Sequence, residues 1–86
     1  MIFFAWSTVG VAAFEKLSRD NLDCQLWVSG DILTHEQLTT LRLTGVRVTE
    51  FTHEVRPENT ETLAHAIDVI REHHPDEPIW VESQAV

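Results

Sequence analysis

The chain has 86 residues, enough for one domain around one small hydrophobic core. Its hydrophobic share of 43% is ordinary for a globular protein and argues against disorder, and 14 acidic against 6 basic residues, a formal charge of −8, disfavour direct nucleic-acid binding. Cys24 is the single cysteine, which excludes an internal disulfide and a multi-cysteine metal centre, and no apolar run reaches the ~20 residues of a membrane span.

Ile2 to Trp6 is continuously apolar, and two Phe and a Trp in so short a run favour a strand buried on both faces. The helical spacing of Ile2, Trp6, Val9, Ala13 and Leu17 leaves a helix as the alternative. From Val9 the pattern is helical, with Ala13, Phe14 and Leu17 on one side and Lys16 and Arg19 near the end, where cations suit the helix dipole.

Leu22, Cys24, Leu26 and Val28 then alternate with Asp23, Gln25, Trp27 and Ser29, which predicts a half-buried strand ended by Ser29-Gly30-Asp31. Thr34 and Gln37 form a capping box, Leu33 and Leu38 a hydrophobic staple around it, and Gly45 a C-terminal stop for the helix that follows. The β-branched run from Val46 predicts a third strand. Val46 and Val48 lie on one parity and Phe51 and Val55 on the other, which predicts a bulge near Thr49 or Glu50. Pro57 and the Glu58–Thr62 stretch open the last helix, capped by Asn59 or Thr60, with Leu63, Ala66, Ile67 and Ile70 as its core stripe. Pro75 and Pro78 end it, and Ile79 to Glu82 form a short fourth strand.

The expected fold is therefore α/β: a single domain over residues 1–86, β-α-β-α-β-α-β, with a four-stranded, mainly parallel sheet and three helices. The outline is similar to that of IIB-type phosphotransfer domains, which place a cysteine after the first strand where this chain has Trp6 and Ser7. It also resembles receiver domains, whose acidic pair after the first strand is missing here. The chain is assigned to neither.

In a parallel sheet the functional strand ends gather at one edge. That edge would collect Ser7 and Thr8, then Ser29 and Asp31, then His53 and Glu54, and finally Glu82 and Ser83. A helix start beside Ser7, Thr8 and Gly10 is suited to an anion, although the glycine motifs of nucleotide-binding loops are absent and a plain N-cap accounts for the same residues. Asp31, His53, Glu54 and Glu82 would suit acid–base chemistry or a hard cation if they converged. Solvated loop residues are the simpler account. None of the five histidines falls in a metal-binding motif, and Cys24 reads as a small core residue, so neither a metal nor a cofactor is expected.

The last helix carries a different signal. Glu61, His65, Asp68 and Glu72 are spaced by four, three and four residues and share a face opposite the core stripe. From Val46 onward nine acids stand against three arginines, so −6 of the −8 falls in the second half. Carboxylates one helical turn apart, ~5–6 Å, imitate successive phosphates. Trp27, on the polar parity of its strand, and Trp80, opposite Ile79 and Val81, read either as exposed contact residues or as core. With strand order 2-1-3-4, one helix alone would cover a sheet face and leave apolar area near the last strand.

The leading expectation is a non-enzymatic, cytoplasmic, acidic module, a small regulator or inhibitor that binds a basic protein partner through Glu61, His65, Asp68, Glu72 and Trp80. It would bind neither nucleic acid directly nor a membrane. The alternatives are a small enzyme or ligand- or metal-binding domain working at the strand-end edge, and a homo-oligomer subunit, a homodimer for instance, that pairs through Trp80.

Overall fold

β1 (Ile2–Ala5) forms the middle of the sheet together with β2 (Gln25–Val28), and the strand order is β3-β2-β1-β4, with β3 at Val48–Glu50 and β4 at Ile79–Val81. All pairings are parallel: Phe3 lies beside Leu26 on one side and Trp80 on the other, and Leu26 lies beside Val48. The computed structural model describes residues 1–19 and 23–82. Leu22 and Ser83, assigned above to the second strand and the strand-end edge, lie outside the described residues.

The helices are α1 (Thr8–Ser18), α2 (His35–Leu43) and α3 (Thr60–His73). Right-handed crossovers of this order put α1 and α2 on one face and α3 on the other. Two cores follow. Ala5, Leu26, Val28 and Val48 of the sheet pack with Val11 and Phe14 of α1 and Leu38 of α2. Ile2, Phe4 and Trp27 pack with Ala66 and Ile70 of α3 and with Phe51 and Val55 of the loop before it. Phe4 and Phe14, both wholly buried, one in each core, are each worth about 1.5–3 kcal/mol of transfer free energy.

Local signals set most boundaries. Thr34 and Gln37 make the reciprocal capping box of α2, with Thr34 Oγ1 accepting from Gln37 N–H at 3.1 Å and Gln37 Oε1 from Thr34 N–H at 2.8 Å. Gly45 follows that helix with φ of +91°, a conformation glycine adopts without steric cost. Asn59 caps α3, its side chain accepting from Thr62 N–H at 3.1 Å.

Four expectations are corrected. The order of the parallel sheet is 3-2-1-4, not 2-1-3-4, so α3 covers its face alone while α1 and α2 share the other. β2 is buried on both faces, because it is an inner strand with a helix layer on each side. Trp27 is therefore core, 5% exposed, despite its polar neighbours in sequence. β3 needs no bulge, since its register with β2 runs unbroken from Val48 to Glu50. Val48 and Phe51 have opposite parity because each fills a different core. On α1 the buried residues are Gly10, Val11 and Phe14, while Ala13 and Leu17 are exposed.

Candidate functional site

In this strand order α1 carries the chain to one side of β1 and α3 carries it to the other, so the topological switch point lies between the C-terminal ends of β1 and β4. That is where open α/β sheets place their ligands. The side chain found there is Glu82. Its Oε1 accepts from the backbone N–H of Trp6 at 2.9 Å and of Ser7 at 3.0 Å, and its other oxygen accepts from the Ser7 hydroxyl. Ser7 is the N-cap of α1 and its Oγ accepts in turn from Gly10 N–H at 3.4 Å.

The start of α1 thus holds an anion, and the anion is the chain's own carboxylate. Glu82 is 7% exposed, and burial at that level is tolerable for a carboxylate only with hydrogen-bond donors around it. Gly10 belongs to the same arrangement. A Cβ there would lie 1.9 Å from Glu82 Oε1 and 3.0 Å from Ala5 Cβ, so the missing side chain is the space the carboxylate occupies. Thr8 is exposed in the first turn and makes no contact of this kind.

The rest of the strand-end edge is held together by Ser29 and Gly30. Ser29 is wholly buried, its Oγ accepting from Val55 N–H at 2.7 Å, and Gly30 N–H donates to His53 O at 2.9 Å. A Cβ on Gly30 would come within 2.7 Å of that carbonyl oxygen, so the 51–59 loop lies directly on the end of β2. Asp31, at φ of +64°, and His53 and Glu54 are all exposed. The His53 ring rests against Phe51, with centroids 5.7 Å apart, and Glu54 accepts from Arg56 Nε at 2.9 Å. The structure brings Ser7 and Glu82 together but does not gather Asp31, His53, Glu54 and Glu82. Among the described residues no cluster of three or more His, Cys, Asp or Glu is placed to hold a metal ion.

On α3 the geometry follows the sequence pattern. Ala66 and Ile70 are buried, while Glu61, His65, Asp68 and Glu72 are exposed along one outward row. None of those four side chains takes part in an ion pair among the described residues. The helix ends against the second core, where the His73 ring lies 5.5 Å from that of Trp27. Trp80 has the opposite environment, 57% exposed on the α1 side of β4.

Two titrating groups are displaced away from these surfaces. Burial pushes the Cys24 thiol up, with Asp23 adding to the rise and the amino terminus opposing it; a thiol so placed is a poor nucleophile. A hydrogen bond from the Met1 amino group at 3.2 Å holds the Glu77 carboxyl below its usual range, helped by His74 and opposed by partial desolvation.

Sequence reasoning placed Ser7, Gly10 and Glu82 near one edge without pairing them. The signals that point to the contact are a glycine at the third helical position, where a better helix former would otherwise be preferred, and an acid ending the last strand. No protein-family model matches this chain, and no curated protein or solved structure shows significant similarity to it. No helix is long and apolar enough to cross a membrane among the described residues.

Proposed function

We propose that the chain is an acidic protein-binding module, a small regulator or inhibitor, whose working surface is the outer row of α3. Glu61, Asp68 and Glu72, with His65 between them, would engage a basic groove on a protein that otherwise holds nucleic acid. The observation that carries this reading is that all four side chains are exposed and free of ion pairs among the described residues, on a helix whose opposite face is committed to the core. Asp68 and Glu72 stand one turn apart, ~5–6 Å, and Glu61 two turns before Asp68, about 10 Å, which together supply a linear negative array. The alternative of an enzyme at the strand-end edge has less support, because Glu82 is engaged by Trp6 and Ser7 and the other polar residues there lie exposed on separate loops.

The test compares capture from cell lysate by the wild-type chain and by a Glu61→Lys/Asp68→Lys/Glu72→Lys variant, each with and without competing duplex DNA or RNA. A protein retained by the wild type only, and released by the nucleic acid, is the expected result. Equal capture by both chains rules the α3 row out.

A further inference from the structure

The two edges of the sheet are finished differently. β3 is preceded by Arg47 and ends in Glu50, and Arg42 Nη2 donates to its Val48 carbonyl at 3.2 Å; charged side chains of this kind block a strand edge from further pairing. β4 carries only Ile79, Trp80 and Val81. Ile2 N–H donates to Pro78 O and Glu82 N–H to Phe4 O, at 3.0 and 2.9 Å, so the alternation of a parallel ladder turns Pro78, Trp80 and Glu82 toward β1. The backbone N–H and C=O groups of Ile79 and Val81 therefore face outward from the sheet.

Beside that edge, on the α1 side, Trp80 stands over a hollow of about 420 Å³ lined chiefly by Phe3, Val9, Ala13 and Val81. Val9 is 64% exposed and Trp80 57%. Neither α1 nor α2 covers β4 there, and no exposed charged side chain lines the hollow. A row of backbone donors and acceptors unpaired among the described residues, next to an uncovered indole, calls for an extended polypeptide strand, not for a small ligand.

We infer that the strand is β4 of a second copy, paired antiparallel about a two-fold axis through Trp80. The geometry is self-complementary. Ile79 of one copy falls opposite Val81 of the other, so each such pair exchanges two N–H···O=C bonds, while the two Trp80 residues face each other as a non-hydrogen-bonded pair with Cα atoms ~4.5 Å apart. Because the axis runs perpendicular to the sheet, both indoles lie on the same face, in the trough between the two α1 helices, where each reaches the other's Val9 and Ala13. The result is a continuous eight-stranded sheet with its charged β3 edges outermost.

Charge permits this approach despite the net −8 of each chain. Helical spacing puts the acidic row of α3 opposite Ala66 and Ile70, the face buried against the sheet, so the row points away from the sheet and its β4 edge, with Arg71 on its flank. The surface is separate from the α3 row, and the inference stands whether or not that row binds a partner.

Sedimentation velocity of the full chain from micromolar to millimolar concentration tests it. The expected result is conversion from the monomer mass to twice that mass, shifted toward the dimer by added salt, which screens the like net charges. Trp80→Lys, which sets two ammonium groups opposite each other, should keep the monomer mass throughout with an unchanged circular dichroism spectrum. Val81→Pro, which removes an outward N–H and none that faces β1, should do the same and serves if the first variant fails to fold. Hydrogen exchange at the Ile79 and Val81 amides should slow in the concentrated wild type and not in the variants. A wild type that stays monomeric overturns the inference. So does a dimer that neither substitution weakens, or one whose Ile79 and Val81 amides exchange as fast as in the monomer.

Discussion

The carboxylate of Glu82 fills the space a side chain at Gly10 would need, since a Cβ there would lie 1.9 Å from Oε1. A flexible carboxylate would ordinarily swing aside. Here it accepts from Trp6 N–H, Ser7 N–H and the Ser7 hydroxyl, and Ala5 Cβ closes the other side at 3.0 Å. Moving it would strand two backbone donors at a partly buried helix start.

Gly10→Ala is therefore expected to destabilise the fold by about 2–4 kcal/mol, the unsatisfied donors and overpacking outweighing the ~1 kcal/mol that alanine gains in helix propensity. Glu82→Ala alone should also destabilise. The two costs should not add: with the carboxylate gone the added methyl group has room, and the double variant should lie about 1–3 kcal/mol above the sum of the singles. Urea denaturation of all four proteins gives the cycle. Additive costs would mean that the two residues do not share the space.

Ser29 and Val55 make a second such link, between the end of β2 and the loop that leads into α3. The hydroxyl is wholly buried and accepts from Val55 N–H at 2.7 Å. Ser29→Ala removes the acceptor and leaves a buried amide without one, an expected loss of about 1–3 kcal/mol. Native-state hydrogen exchange distinguishes this from general loosening, because the Val55 amide should lose more protection than the β1 amides. Uniform loss across the chain would place the damage elsewhere.

These links explain which parts of the fold were legible in the chain. Helix ends were, because a cap is a local event: Thr34 and Gln37 meet across three positions, and Gly45 adopts its positive φ whatever lies beyond it. Strand order was not, because apolar parity says which face of a strand is buried and nothing about which strand lies beside it. The sequence leaves Trp27 open between a contact residue and core for that reason. Its polar neighbours Gln25 and Ser29 suggest a solvent face, but an inner strand between two helix layers has none, and Ser29 is buried with its hydroxyl engaged. Glu82 was placed at the right edge without its partners, since the amides that satisfy it stand 75 and 76 residues earlier in the chain. The α3 row was legible because helical spacing alone decides which residues share a face.

Glu72 is the member of that row whose position helps folding least. It lies in the last turn of α3, where the helix dipole favours cations, and one turn from the like charge of Asp68. Arg71 and His73 beside it show the residue types that suit this end. Glu72→Lys replaces a repulsive i,i+4 pair with an attractive one in the favoured acid-before-base order and reverses the sign against the dipole. The expected gain is about 1 kcal/mol, or ~4–8 °C in Tm for a domain of this size. Thermal melts at low and at high salt provide the check, because a gain of electrostatic origin shrinks as ionic strength rises. An unchanged or lowered Tm at low salt would mean that Glu72 has a stabilising partner within the fold. A gain would mean that the native carboxylate is held at a cost to stability, as expected of a charge kept for contact with another molecule.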